Sequence, residues 1–354
     1  MEGMSASAVI VGAGIIGSSI AWRLAGRGVK VTLLDAGRLG AEASWAGAGM
    51  LAPGGEIVER SPWSDLALES LRLYPEFVRE LSSDSARSID FQRDGAIEAA
   101  FDEAELADLD RRALRQQEIG IASERITVAD ARVLGADVVG ARFFPSDALV
   151  DPRDITAALR RACLARGVEI REGVRAERID ASAGGVKVTT AAGAIVADSG
   201  ILAAGAWSSG VRVLIGGSEF ALPQSFPVRG HLIGYHLPAG SIGPIMRHGH
   251  TYVLQRRNGF TIAGTSSEEA GFDRTVDDAT VAGIRIRAAR LAVPLQGRIP
   301  ADAWTGFRPG IRADGPAIGR AGDSALWLAY GHYRNGILLA PATAERVARG
   351  ILTG

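Results

Sequence analysis

The chain has 354 residues, 47% of them hydrophobic and 22% charged, with a formal net charge of −1. Its length calls for two interleaved domains rather than one, and this balance excludes a disordered chain. Near-neutrality without a basic run excludes the footprint of a nucleic-acid binder, and the single cysteine, Cys163, excludes internal disulfides, iron–sulfur clusters and zinc–thiolate sites.

Taken in chain order, Ala8–Val11 is a short apolar run and Gly12–Gly17 follows it immediately. Ser18 to Gly28 has helical spacing through Ile20, Trp22 and Leu24, and Val29–Leu34 reads as a second strand ending at Asp35. Together these make one right-handed βαβ unit with parallel strands. Helices are predicted from Asp65 to Leu81, from Glu103 to Ile119, and near Asp154–Arg166 with Pro152 in the first turn. Val168–Ile170 and the Val174–Thr190 region alternate as strands around a turn at Ala183–Gly185. Asp198–Ala204 is a buried strand leading into Leu202–Trp207. The texture is β-rich from Phe220 to about Ala263, helical over Thr280–Leu291, strand-like over Ala325–Ala329 and helical again over Gly336–Leu352. The expected fold is α/β: a Rossmann-like domain from 1–85, 145–218 and 305–354, with a β-rich (α+β) substrate domain from 86–144 and 219–304.

Gly12, Gly14 and Gly17 permit a tight turn and close approach of a pyrophosphate to a helix N-terminus, and Asp35 lies where an acid reaches an adenosine ribose. This motif points to a dinucleotide and does not separate FAD from NAD. Two further segments favour FAD. Ser44–Leu51 is a glycine–alanine stretch open to a bulky planar group, and Gly331–Thr343 puts a polar cluster ahead of a helix whose N-terminus faces the electron-rich edge of a reduced flavin. The chain contains 45 glycines, about 13% against a usual ~7%, in keeping with a ligand held close to backbone.

On these residues the chain resembles the glycine oxidase branch of the D-amino acid oxidase family of FAD enzymes over essentially its full length. The match extends through Leu202–Trp207, Pro227-Val228-Arg229-Gly230, Gly264–Asp273, Gly306–Gly310, Asp314–Pro316 and Gly331–Thr343. The resemblance implies a two-domain flavoprotein in which Ile15, Ile16, Asp35, Ala36, Ala43, Ser44, Ala48, Gly49 and Met50 line the cofactor. It also implies that Ala176 meets the adenine through its backbone, and that His332, Tyr333, Arg334, Asn335, Gly336, Ile337 and Leu338 wrap the isoalloxazine. Arg308 matches the family's carboxylate-binding arginine, Arg334 its partner beside the flavin, and Tyr252 a tyrosine that positions the substrate. Ala43 stands where the family often has a hydroxyl. Ser267 replaces a larger apolar residue of some relatives, which leaves substrate size open.

The residues support the same reading. Of 39 basic residues 37 are arginine, with Lys30 and Lys187 the two lysines, so lysine–aldehyde chemistry is disfavoured. A guanidinium fork suits a small amino-acid substrate, whose carboxylate must be fixed to aim its Cα–H at a flavin. The implied activity is oxidative deamination of glycine, and of sarcosine or small D-amino acids. Hydride passes from the free amine's Cα to flavin with no side-chain base. The imine hydrolyses to glyoxylate and ammonia, or feeds the thiazole of thiamine, and oxygen becomes hydrogen peroxide. The alternatives are a D-amino acid or proline-type dehydrogenase that delivers electrons to a quinone, and a flavin- or NAD-binding module without turnover.

Without a cysteine near the C-terminus, FAD is expected to be non-covalent, and Cys163 reads as a small core residue. His248 and His250, two apart, would share one face of a strand, yet no third ligand accompanies them and no metal is expected. Glu268 and Glu269 read as solvent-facing turn residues. No membrane span is expected, because the apolar stretches fall short of about 20 residues. A reducing, cytoplasmic compartment fits the cysteine usage, and the resemblance implies a homo-oligomer, often a tetramer.

Overall fold

The computed structural model describes residues 6–353. Its organising element is the strand Ser7–Val11, whose alternation decides the layers. Ala8 and Ile10 face a core shared with helices, whereas Val9 and Val11 face a second core built on another sheet. A strand apolar on both faces belongs at the centre of a parallel sheet. It pairs in parallel with Lys30–Leu34 on one side and Ser199–Leu202 on the other. The six-stranded sheet is completed by Glu169–Arg171 at one edge, and by Leu326–Tyr330 and antiparallel Ala317–Arg320 at the other.

One face carries the helices Ile15–Ala25, Pro62–Ser85, Pro152–Ala165 and Gly336–Thr353. Trp22 shows how firmly they pack. It is fully buried, donates Nε1–H to Asp84 at 2.8 Å, and meets Phe77 edge-on at 5.4 Å. Burying such a ring contributes about 5 kcal/mol before ordering costs. Cys163 lies in the same core, as expected. On the opposite face packs a five-stranded sheet made from Ala176–Ser182, Gly185–Thr190, Gly193–Ala197, Arg212–Ile215 and Ser218–Glu219.

A second body of structure is the eight-stranded sheet. Its order is Asp302–Ile311, Ser225–His236, Phe260–Gly264, Thr251–Gln255, Ile245–His248, Ala96–Ala100, Gly140–Phe144 and Glu124–Ile126, with Asp278–Leu291 against one face. A small sheet of Met50–Leu51, Ala148–Val150 and Phe91–Gln92 lies apart from it.

Several elements differ from expectation. The first helix starts at Ile15 rather than Ser18, because Gly14 is its N-cap. The next begins at Pro62, where Ser61 and Ser64 form a reciprocal capping box, and runs on to Ser85. The strand Asp302–Ile311 was not foreseen, and it includes Pro309, which has no N–H to give to a ladder. Pro309 is tolerated because this is an edge strand, and it lies opposite Pro227 where the neighbouring strand has pairing on one side only. The same strand runs unbroken through the expected 304/305 boundary. His248 ends its strand, Gly249 turns at φ +53°, and His250 falls outside, so the two imidazoles do not share a strand face. His248 instead pairs with Glu105 at 3.0 Å.

Candidate functional site

The C-terminal ends of the parallel strands open onto a cavity of about 930 Å³ that also reaches the eight-stranded sheet, with Val11, Leu34, Ala203 and Tyr330 in its wall. Its size is at the upper end for a small-molecule site, and its position is the crevice where successive strands leave the central one in opposite directions.

Gly12, Gly14, Ile15 and Ile16 line one end. Gly12 has φ +104°, and a Cβ there would lie 2.4 Å from the Ala203 carbonyl oxygen. Gly17 is not in the wall. A Cβ on it would meet the Gly12 carbonyl oxygen at 1.9 Å, so its role is to let the helix seat against the turn. No side chain caps Gly14, and the first helical N–H groups lack intrahelical partners. That of Ile15 donates to Ser44 Oγ at 2.9 Å, which ties the second predicted segment to the first. Asp35 accepts from Gly37 N–H at 2.7 Å and Ala13 N–H at 2.8 Å, yet burial raises its carboxyl above the ordinary range. Ala36, Ala43 and Ala176 are also in the wall.

Ala48, Gly49 and Met50 follow. Gly49, at φ +90°, abuts the Val150 carbonyl, which a Cβ would approach to 2.0 Å. Arg256 braces this segment from behind. It is 3% exposed, donates Nη1–H to the Val150 carbonyl at 2.7 Å, and donates Nη2–H to the Ala48 carbonyl. Nothing in the local sequence distinguishes Arg256 from Arg257, so its role was not foreseen.

The segment from His332 to Ile337 lines the middle of the cavity, whereas Leu338 is turned into the helical core. Tyr333 is held at φ +50°, a conformation that costs a side-chain-bearing residue about 1–2 kcal/mol. Its hydroxyl lies 3.3 Å from Ser267 Oγ. The helix Gly336–Thr353 contains Pro341, which removes the N–H that would reach the Ile337 carbonyl. Tyr74 supplies the missing donor, its hydroxyl giving to that oxygen at 2.7 Å.

His332 is fully enclosed, with Nε2 3.1 Å from Thr343 Oγ1, and burial pushes its imidazole down to about 3. A depressed histidine favours the fold above its unfolded value of 6.5 and weakens it as pH falls toward 3. Between pH 6.5 and 5 the cost from this residue is about 2 kcal/mol. Urea unfolding at those two pH values should therefore show a smaller acid loss in His332→Gln than in the parent chain.

Arg308 and Tyr252 line the same cavity together with Arg334. Arg308 donates Nη1–H to the carbonyls of Ser266 (3.1 Å) and Arg229 (3.4 Å), and Nη2–H to Thr265 Oγ1 at 2.7 Å. Among the described residues nothing accepts from its Nε–H or second Nη2–H, and these two form the fork that a carboxylate matches. Gly230 makes room, since a Cβ there would lie 2.4 Å from both terminal nitrogens. Burial pushes the Tyr252 phenol up, partly opposed by Arg308, so its hydroxyl stays a donor.

Arg334 reaches the cavity with its Nε–H engaged by Glu56 Oε1 at 2.9 Å, and Asn335 Nδ2–H donates to Glu56 Oε2 at 2.8 Å. Glu56, Thr265 and Gly230 are site features not singled out as such from the sequence. Thr265 sits in the quoted Gly264–Asp273 segment, but its pairing with Arg308 is long-range. Glu268 is not the solvent-facing turn residue expected. It bonds Arg229 at 2.5 Å and lies 3.2 Å from fully buried His231.

A glycine-cradled helix N-terminus, a half-buried acid and an arginine fork line one cavity, the arrangement of a dinucleotide-binding oxidoreductase. The family described as FAD dependent oxidoreductase (DAO) matches residues 7–349, and the chain belongs to it. It is 34% identical over 97% of its length to the bifunctional protein ThiO/ThiG of Synechocystis sp., of which it spans about half (51%). It is 31% identical to the glycine oxidase of Pseudomonas putida, covering 99% of this chain and 95% of that one. Among solved structures, glycine oxidase from Geobacillus kaustophilus superposes with TM-score 0.90 at 28% identity over 99% of this chain and 95% of that chain. Iminodiacetate oxidase from Chelativorans sp. BNC1 gives 0.86 at 25%, covering 98% and 95%. The cavity suits FAD: the cradle at Gly12, which a Cβ would fill, and a helix start whose N-cap, Gly14, brings no capping side chain fit a pyrophosphate. Among the described residues no helix is long and apolar enough to cross a membrane.

Proposed function

We propose that the chain oxidises glycine, with sarcosine and small D-amino acids as further substrates, to glyoxylate, ammonia and hydrogen peroxide. The observation that carries this reading is the free fork of Arg308 beside the Tyr252 hydroxyl in the cavity that holds FAD. FAD, when bound, supplies the two-electron acceptor. Arg308 takes the substrate carboxylate on Nε–H and Nη2–H, and Tyr252 and the remaining donors of Arg334 complete its orientation. Glu56 partly neutralises Arg334, leaving Arg308 the dominant anion contact. The surrounding wall excludes water and fixes the Cα–H in one direction, so position and electrostatics are the protein's contribution. The amine reacts as the free base, and no side chain is required to remove its proton.

In this reading Gly12, Gly14, Ile15, Ile16, Asp35, Ala36, Ala43, Ser44, Ala48, Gly49, Met50, Ala176 and residues 332–337 hold FAD non-covalently. The parallel-sheet body binds the cofactor and the eight-stranded body binds the substrate. The chain works in the cytoplasm as a homo-oligomer, and similarity to a ThiO/ThiG protein supports use of the imine for the thiazole of thiamine. Oxygen uptake with glycine, matched by one peroxide per glyoxylate, tests oxidase chemistry. Turnover with a quinone but no peroxide in air would replace it with a dehydrogenase.

A further inference from the structure

Two of the three acceptors that hold Arg308, on Thr265 and Ser266, belong to one stitched segment, and the third, on Arg229, lies on the strand it is stitched to. Residues 265–277 form a strap without regular structure between the strand Phe260–Gly264 and the helix Asp278–Leu291. The strap is fastened to the strand Ser225–His236 by an isolated bridge. In it Arg229 N–H donates to the Glu268 carbonyl at 2.8 Å and Glu268 N–H returns to the Arg229 carbonyl at 3.0 Å. The same Arg229 carbonyl accepts from Arg308.

Side chains reinforce the bridge. Arg229, 9% exposed, donates Nη2–H to Glu268 Oε2 at 2.5 Å and Nε–H at 3.1 Å, while its Nη1–H goes to Asp273 at 2.5 Å. His231 accepts from Asp277 N–H on Nε2 at 3.1 Å, so its proton lies on Nδ1 and is directed to Ser266 Oγ at 2.9 Å. Ser266 Oγ also accepts His231 N–H at 3.0 Å, and Glu268 Oε1 lies 3.2 Å from His231 Nδ1, so the serine, the imidazole and the carboxylate form one cluster. Thr265 Oγ1 donates to the His231 carbonyl at 2.9 Å, and a lone pair of that oxygen thereby faces Arg308.

All three oxygens that orient Arg308, on Arg229, Thr265 and Ser266, therefore sit on residues fastened by Glu268 or His231. We propose that Glu268 is a positioning residue: through Arg229, Ser266 and His231 it sets the direction of the Arg308 fork, and so the affinity for a substrate carboxylate, while touching neither substrate nor FAD. This inference rests on the reading of Arg308 as the carboxylate grip.

The test uses holoenzyme and two ligands, glycine for turnover and acetate titrated through the perturbed flavin spectrum. Glu268→Gln keeps the volume but loses the charge that holds Arg229. It should raise KM for glycine and Kd for acetate together by roughly five- to twentyfold, with kcat changed less than about twofold. In an Arg308→Ala background the same substitution should add nothing, since the group it aims is gone. Ser266→Ala, which breaks the same network without altering charge, should raise both constants in the same direction and serves if the Gln variant does not fold. Unchanged KM and Kd in both variants, or a full multiplicative effect of Glu268→Gln on top of Arg308→Ala, would overturn the inference while leaving Arg308 in place. Arg308→Ala that leaves acetate binding intact would overturn the underlying assignment as well.

Discussion

Replacing Arg308 with alanine lowers kcat/KM for glycine by about 10²- to 10³-fold, most of it in KM, while the purified variant keeps its FAD. The size follows from the two N–H groups left free by Thr265, Ser266 and Arg229. A pair of charge-assisted hydrogen bonds to a carboxylate is worth about 3–4 kcal/mol, and each 1.4 kcal/mol is tenfold. The substrate is too small to recover this elsewhere, for Arg334 already engages Glu56. Lysine at 308 should recover little, because a point charge cannot reproduce the fork. Steady-state kinetics with glycine, compared with an amine lacking a carboxylate, checks the prediction: the loss should be confined to the carboxylated substrate.

Gly12→Ala should give a chain that purifies without yellow colour. At φ +104° the added methyl is strained in any surroundings, and here it would lie 2.4 Å from the Ala203 carbonyl oxygen and 2.7 Å from the Ala204 Cα. Both neighbours are backbone at the end of the strand Ser199–Leu202, so relief must come by moving the turn that presents the helix start. The same displacement spoils the pyrophosphate contact and the seat of Gly17, and loss of several kcal/mol of cofactor affinity follows. Bound flavin per chain after desalting measures it. Gly28→Ala is the control: it has φ +81° but open space around it, so it should cost a little stability and leave the flavin in place.

What was legible in the sequence was what is local. The turn Gly12–Gly17 and Asp35 declare themselves by spacing, because a βαβ unit fixes their separation. The alternation at Ala8–Val11 likewise carries its own two-faced burial. The helix after Gly336 was readable despite Pro341, whose missing donor is replaced by Tyr74 from far along the chain.

The rest depends on partners distant in sequence. Pro309 speaks against a strand until Pro227 is seen opposite it at a sheet edge. Thr265 is an ordinary loop threonine until Arg308 meets it at 2.7 Å, and Glu268 is an ordinary turn acid until Arg229 and His231 close on it. His248 and His250 failed as a pair because Gly249 breaks the strand between them. In each case the deciding contact joins different strands or loops, which single-sequence periodicity does not register.

The most direct measurement is the visible spectrum of the purified protein, taken before and after adding glycine in the absence of oxygen. The account predicts flavin bands near about 450 nm that bleach with glycine and return on admitting air. Bands that persist with glycine would contradict the proposed substrate, and a protein that shows none even after reconstitution with FAD would contradict the reading of the cavity itself.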